Sequence, residues 1–228
     1  MSDKVIAISG GFGILGEAAV KAALSKGWTV VAIDRADAPR ETFPDGVDQR
    51  GGVDLTNAEA TADLFNAIVE KHGRLDALLN IAGGFRWETL EDGSIESWDF
   101  LYEINVKTAV TACKMALPYL KAAPAGRIVN VGAAGALKAG MGMGAYGASK
   151  SGVMRLTEAL AEELKSTNVT VNAVLPSIID TPQNRQDMPD ADPEIWVKPA
   201  DLASVMLFLA SDEARAITGA LVPVTGKV

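Results

Sequence analysis

Short apolar runs alternate with stretches of helical period along almost the whole chain, and no other feature restricts the fold as much. Runs at residues 5–8 (VIAI), 29–33 (TVVAI), 75–80 (LDALLN), 127–131 (RIVNV), 169–175 (VTVNAVL) and 220–224 (ALVPV) have the length and composition of buried strands. Between them lie amphipathic stretches at about 14–25, 56–71, 97–120 and 146–165, and a further helix opened by Pro199 and Asp201. Strands that read as continuous apolar runs, each followed by a helix, imply a mainly parallel sheet covered on both faces. The expected class is α/β: a single-domain Rossmann-type doubly wound sheet of about seven strands over residues 1–228. In such a sheet ligands sit beyond the carboxyl ends of the strands.

Composition narrows the partners. The formal net charge is -8, which opposes binding to nucleic acid or to an anionic membrane. No apolar run approaches the length of a membrane span, and no secretory signal is read near the N-terminus, so a soluble cytoplasmic protein with a small-molecule ligand is expected. Cys113 is the only cysteine and His72 the only histidine. A Ser-His-Asp triad, a disulfide framework and a cysteine or histidine metal cluster are therefore not expected, and no metal site is assigned. His72 precedes Gly73 at an expected helix end, where a structural role is the simpler reading. TNAE at 56–59 reads as a capping box.

The chemistry-bearing motifs follow the strands. SGGFGILG at 9–16 contains Gly11-x-Gly13-x-x-Gly16, with Gly10 beside it. Glycines after a first strand and before a helix let backbone N–H groups approach a pyrophosphate at the helix N-terminus. Gly10, Gly11, Phe12, Gly13, Ile14, Leu15 and Gly16 are the candidate contacts. Asp34 ends the second strand, placed to accept hydrogen bonds from ribose hydroxyls and to repel a 2′-phosphate, which favours NAD; Arg35 beside it would accept that phosphate, so NADP stays open. Asp54 and Leu55 either border an adenine pocket or simply begin a helix. Asn80, Ala82 and Gly83, after the fourth strand, allow close approach of backbone to a ligand or form a plain turn. Asn105 falls inside an expected helix, where Asn is a poor interior residue, so it needs a partner. Tyr146 and Lys150 lie four apart, on one face of a helix. An ammonium beside a phenol favours the phenolate, so Lys150 is expected to lower the Tyr146 pKa. From residue 130 to 145 there is no Ser, Thr or Tyr.

Taken in order, SGGFGILG, Asp34, Asn80-x-Ala82-Gly83, Asn105, Tyr146-x-x-x-Lys150 and VNAVLP at 171–176 resemble the short-chain dehydrogenase/reductase family over essentially all of the chain. The resemblance implies hydride transfer with NAD(H), NADP being admitted, and a homodimer or homotetramer. It implies that Tyr146 exchanges a proton with substrate, that Lys150 binds the nicotinamide ribose and tunes Tyr146, and that Asn105 holds a relay water. Pro176, Ile179 and Thr181 join the cofactor contacts. The family's serine, 13 residues before the tyrosine, is Ala133 here, and Ser177 stands where a glycine follows the proline. Losing one such donor costs about 3 kcal/mol in the transition state.

A narrower resemblance, to the dihydropteridine reductase branch, rests on GGFGILG, AGGF, VGAAGALKAGMGMGAYGASK and the stretch at 175–196. That branch lacks the serine and prefers NADH, and it implies a quinonoid dihydropterin as substrate. Ala133, Phe85 and Trp87 are the candidate substrate contacts; an ordinary carbonyl or alcohol substrate, or a non-enzymatic NAD(H)-binding sensor, are the alternatives. Phe85, Trp87, Met141, Met143 and Trp196 are either packing residues or ligand cover. Residues 177–198, long and polar, are expected to form a substrate lid. The apolar faces of residues 106–117 and 153–164 are expected to pair across a symmetric interface.

Overall fold

The computed structural model describes residues 4–228; the part of the secretory-signal reading that falls on residues 1–3 lies outside them. Seven strands form one sheet: β1 (Val5–Ser9), β2 (Thr29–Ile33), β3 (Asp48–Arg50), β4 (Ala77–Asn80), β5 (Arg127–Val131), β6 (Thr170–Pro176) and β7 (Leu221–Val224). Their order is β3-β2-β1-β4-β5-β6-β7, and every pairing is parallel. The order reverses between β1 and β4, which opens the crevice of a doubly wound sheet at their carboxyl ends. Ser9 pairs with Asn80 and Asn80 with Asn130, so the ends of the three central strands are level.

Alternation along each strand divides the core in two. Ile6, Ile8, Val30 and Ala32 face α1 (Ile14–Ser25) and α7 (Pro199–Leu209). Val5, Ala7, Val31 and Ile33 face the layer of α2 (Ala58–His72), α4 (Thr108–Ala122) and α5 (Gly144–Glu163). The faces expected to pair between subunits are partly used within the chain, because Val106, Val153, Leu160 and Leu164 are buried. No helix among the described residues is long and apolar enough to cross a membrane.

Two local expectations need correction. The cap of α2 is Asn57, not Thr56: its side chain accepts from the N–H groups of Glu59 and Ala60, while Thr56 is held by Asp54 through both N–H and hydroxyl. The helix expected at 97–120 begins earlier, as α3 (Ile95–Leu101), and passes through a π-helical segment at Tyr102–Lys107 before α4. Asn105 sits in that segment. An inserted π turn lets a residue that fits a regular helix poorly turn its side chain to a distant partner. Residues 177–198 are folded onto the body: α6 (Pro182–Asp187) and a short turn at Pro193–Ile195 lie between Ile179 and Val197, which form a parallel bridge, and Trp196 and Val197 are buried. His72 takes the structural role, its ring nitrogen 2.8 Å from Asp48 Oδ2 with Gly73 left-handed behind it.

Candidate functional site

The glycine turn is built by close approach. Gly10 has φ +65°, and a Cβ there would meet Ala82 N at 2.8 Å; a Cβ on Gly16 would lie 2.0 Å from Gly10 O. No other residue fits Gly16, which lets α1 start directly beneath the turn. Gly13 caps α1 without a side chain, so the first-turn N–H groups are left for a ligand with the positive end of the helix dipole behind them. Gly11 is the exception in function: its N–H bonds Ile33 O at 2.9 Å and it packs on Ala32, joining β1 to β2 rather than facing outward.

This turn forms one wall of a cavity of about 650 Å³ running over the ends of β1, β2 and β4. Gly10, Phe12, Gly13, Ile14, Leu15, Gly16, Asp34, Arg35, Asp54, Leu55, Ala82, Gly83 and Thr181 of the candidate contacts line it. Asp34 Oδ2 accepts from Phe12 N–H and Oδ1 from Ala36 N–H, each at 3.0 Å, which fixes the carboxylate at the β2 end. Hydrogen bonds from Thr56 hold the Asp54 carboxyl below its ordinary range. The remaining candidates lie elsewhere. Asn80 is buried under the sheet, donating to Asn130 Oδ1 at 2.8 Å and to Cys113 Sγ at 3.2 Å, so it ties β4 to β5 and α4. Pro176 pairs with Val224 at the β6 end, and Ile179 makes the bridge to Val197. Neither borders the cavity, because both are held in the strand and bridge pairing.

Beyond the cavity, Asn105, Ser149 and Lys150 gather between the glycine loop after β4 and the start of α5. Asn105 Oδ1 accepts from Gly84 N–H, and its Nδ2 donates to Gly84 O and to Ser149 Oγ, all at 3.0 Å. Ser149 in turn donates to Tyr146 O at 2.8 Å. A Cβ on Gly83 would lie 2.4 Å from Asn105 Oδ1 and 3.4 Å from Lys150 Nζ, so only glycine passes between them. The buried Lys150 Nζ donates to Val131 O at 2.8 Å. The expected lowering of the phenol is not found: burial pushes Tyr146 up to about 12 and pulls Lys150 down to about 8. The amine is turned to the β5 carbonyl, and loss of solvent dominates both groups.

Two loops complete the surroundings. The Phe85 and Tyr146 rings form a T-shaped pair, centroids 4.9 Å apart at 81°. In the GMGMG stretch the close approach is at Gly142, where a Cβ would sit 2.2 Å from Trp87 Cε2; one on Gly144 would make an ordinary contact with Trp98 Cζ2 at 3.4 Å. Glu88 N–H donates to Gly142 O at 3.0 Å, joining the loop after β4 to the loop before α5. Ala133 is 4% exposed at the end of β5, on extended backbone. The sequence reading missed Ser149, Ser9, Phe100 and Gln183. Ser9 Oγ accepts from the N–H groups of Ile81 and Ala82, and Phe100 and Gln183 line the cavity. For Ser9 the available signal was its place at the end of β1, level with Asn80; for Ser149 it was its place between Tyr146 and Lys150.

The family model described as short chain dehydrogenase matches residues 4–192. The 3-oxoacyl-[acyl-carrier-protein] reductase FabG of Thermotoga maritima is 31% identical over 242 residues, covering 99% of this chain and 98% of that protein. Meso-2,3-butanediol dehydrogenase of Serratia marcescens is 33% identical over 236 residues, covering 98% and 94%. The structure of carveol dehydrogenase from Mycobacterium avium in complex with NAD superposes with a TM-score of 0.85 at 28% identity, covering 99% of this chain and 97% of that one. The wider resemblance read from the motifs holds, while the narrower one, to dihydropteridine reductases, has no counterpart in these relatives. The chain belongs to the short chain dehydrogenase family.

Proposed function

We propose that the protein is a nicotinamide-dinucleotide-dependent oxidoreductase that interconverts a carbonyl compound and an alcohol, with Tyr146 handling the proton at the substrate oxygen. The observation that carries this is the Tyr146–Lys150 turn of α5, tied through Ser149 and Asn105 to Gly83 and Gly84, the loop that also borders the 650 Å³ cavity.

The cavity fits the dinucleotide. The space left by Gly10 and Gly16 admits a pyrophosphate against the α1 N-terminus, and Asp34 meets the hydroxyls of a ribose at the β2 end. NAD(H) is the natural occupant, and carveol dehydrogenase, the relative described above, is an NAD complex. Arg35 and Arg40 line the same end, so NADP(H) is admitted. When bound, the dinucleotide supplies or takes the hydride, two electrons with one hydrogen, at the substrate carbon.

The chain's own residues then have the following work. In reduction the carbonyl π bond opens as carbon receives the hydride, and Tyr146 Oη gives its proton to the oxygen. The half-buried Tyr146 phenol, raised to about 12, keeps its proton at neutral pH and so is available as the donor in reduction. Lys150 and Asn105 hold the turn and the glycine loop in place, and solvent returns the proton. Thr181, Pro182 and Gln183 reach the cavity from residues 177–198, which we assign as cover over the bound ligands.

A second reading keeps the same residues with a quinonoid dihydropterin as acceptor. Ala133 favours it, because a conjugated imine system does not call for the missing hydroxyl. One spectrophotometric screen of NADH and NADPH against ketones, aldehydes and quinonoid dihydropterin separates the two. For the shared mechanism, Tyr146→Phe is expected to reduce turnover at least a hundredfold, with NADH affinity within about twofold of wild type. Unchanged turnover in that variant would remove Tyr146 from the mechanism.

A further inference from the structure

The chain carries a net charge of -8, yet the surface next to Tyr146 is apolar. Phe85 is 54% exposed, Trp87 53%, Leu137 62% and Met141 79%. Single exposed apolar side chains are ordinary, but these lie on two loops joined by the hydrogen bond from Glu88 N–H to Gly142 O. The Phe85 and Tyr146 rings meet nearly at right angles, and Trp87 lies on the bare backbone of Gly142, whose φ is +74°. A side chain at position 142 would occupy the place of the indole, so the glycine is what allows the indole to lie there.

Of the charged neighbours, Glu88 and Arg86 are turned elsewhere, while Lys138 between Leu137 and Met141 is exposed. Glu88 accepts from Ser97 Oγ at 2.9 Å and from Ser94 N–H at 3.4 Å. Arg86 donates to Ser97 Oγ at 2.8 Å, and its guanidinium lies 4.1 Å above the Phe100 ring. Both are thus tied to α3 and the turn before it. Ala133 adds no hydroxyl at the end of β5. On the two loops beside the proton donor, Phe85, Trp87, Leu137 and Met141 make apolar surface the main means of recognition, with Lys138 the one exposed charge on the second loop.

We propose that the substrate is an uncharged carbonyl compound or alcohol carrying a large apolar ring system, and that Phe85, Trp87 and Met141 select it by covering that ring. This rests on the reading of Tyr146 as the proton donor. Recognition comes from buried area with one polar anchor, the Tyr146 hydroxyl, so discrimination between substrates follows size and lack of charge. Each additional ~55 Å² of apolar substrate surface covered is worth about a factor of ten in kcat/KM.

The test uses the intact protein with NADH and four probes: acetone, cyclohexanone, 2-tetralone and, as a charged control, pyruvate. The expected order of kcat/KM is 2-tetralone, cyclohexanone, acetone, with pyruvate below cyclohexanone. Phe85→Ala and Trp87→Ala are each expected to lower kcat/KM for 2-tetralone at least tenfold more than for acetone. A flat series, a preference for pyruvate, or equal losses on the large and small ketones would overturn the proposal. Binding is read separately from turnover, by quenching of tryptophan fluorescence on titration with 2-tetralone. Quenching that is reduced in Trp87→Phe and weakened in Phe85→Ala supports the proposal even where turnover is absent, and absence of quenching in the wild-type protein overturns it. A flat ketone series with turnover still lost in Tyr146→Phe would sink this inference and leave the proposed function standing.

Discussion

Replacing Asn105 with Ala removes three hydrogen bonds at once: from Gly84 N–H, to Gly84 O and to Ser149 Oγ. Each is worth about 1 kcal/mol net in a folded protein, so the gross loss is about 3 kcal/mol. Two effects reduce it. Gly84 is only half-buried, so water can take over part of its bonding, and Ser149 keeps its bond to Tyr146 O. Ala also suits a helix better than Asn, by roughly half a kcal/mol. The net destabilisation expected is about 1.5–2.5 kcal/mol, which for a chain of this size lowers Tm by roughly 3–10 °C.

The functional consequence is separable from stability. With Asn105 gone, nothing among its contacts pins Gly83 and Gly84, and Phe85 next to them loses its fixed place against Tyr146. Turnover is expected to fall at least tenfold at a temperature where the variant is fully folded, although Tyr146 and Lys150 are untouched. Urea unfolding followed by circular dichroism gives the stability change, and NADH oxidation gives turnover on the same preparation. A stability loss under about 0.5 kcal/mol together with unchanged turnover would refute the idea that Asn105 holds the glycine loop to α5.

Two further substitutions test neighbouring claims. Ala133→Ser places a hydroxyl at the end of β5; if the substrate is a ketone, the new donor should raise kcat/KM by roughly a hundredfold, whereas quinonoid dihydropterin should gain little. Equal, small effects on both would show that position 133 does not reach the substrate oxygen. Lys150→Met addresses the buried amine, whose pKa burial pulls from the ordinary 10.5 down to about 8. The cost of burying its charge is fully present below pH 8 and absent above pH 10.5, because between those values only the unfolded chain holds the proton. Wild-type stability should therefore rise relative to Lys150→Met as pH goes from 8 to 10.5, measured as the difference in urea midpoint at each pH. A difference that stays level across that window would show that the amine is not depressed.

Periodicity made the sheet, most of the helices and the glycine turn legible, because each depends on residues close together in the chain. The third strand shows why that has limits. Asp48, Gln49 and Arg50 have no apolar run to announce them, since an edge strand is paired on one side only and can stay polar. At the start of α2, Thr56 and Asn57 are both good caps. The choice fell to Asn57 because Asp54 had already taken the Thr56 N–H and hydroxyl, and a competition of that kind is invisible in a pattern of residue types.

The site itself divides in the same way. Tyr146 and Lys150 were readable because four residues on a helix is a fixed geometry, and Asp34 because strand ends follow from strand length. The partners that decide what these groups do come from far along the chain. Ser149 meets Asn105 across 44 residues, and Asn80 meets Asn130 across 50, in a pairing set by the register of β4 with β5. The spacing of Tyr146 and Lys150 places both on one face, but the rotamer of Lys150 carries its amine to Val131 O, and burial then moves the phenol up rather than down. That reversal has a chemical consequence that spacing alone hides. A phenol raised by burial keeps its proton at neutral pH, so taking a proton from an alcohol would need the phenolate to be stabilised by something other than the Lys150 amine in its place at Val131 O.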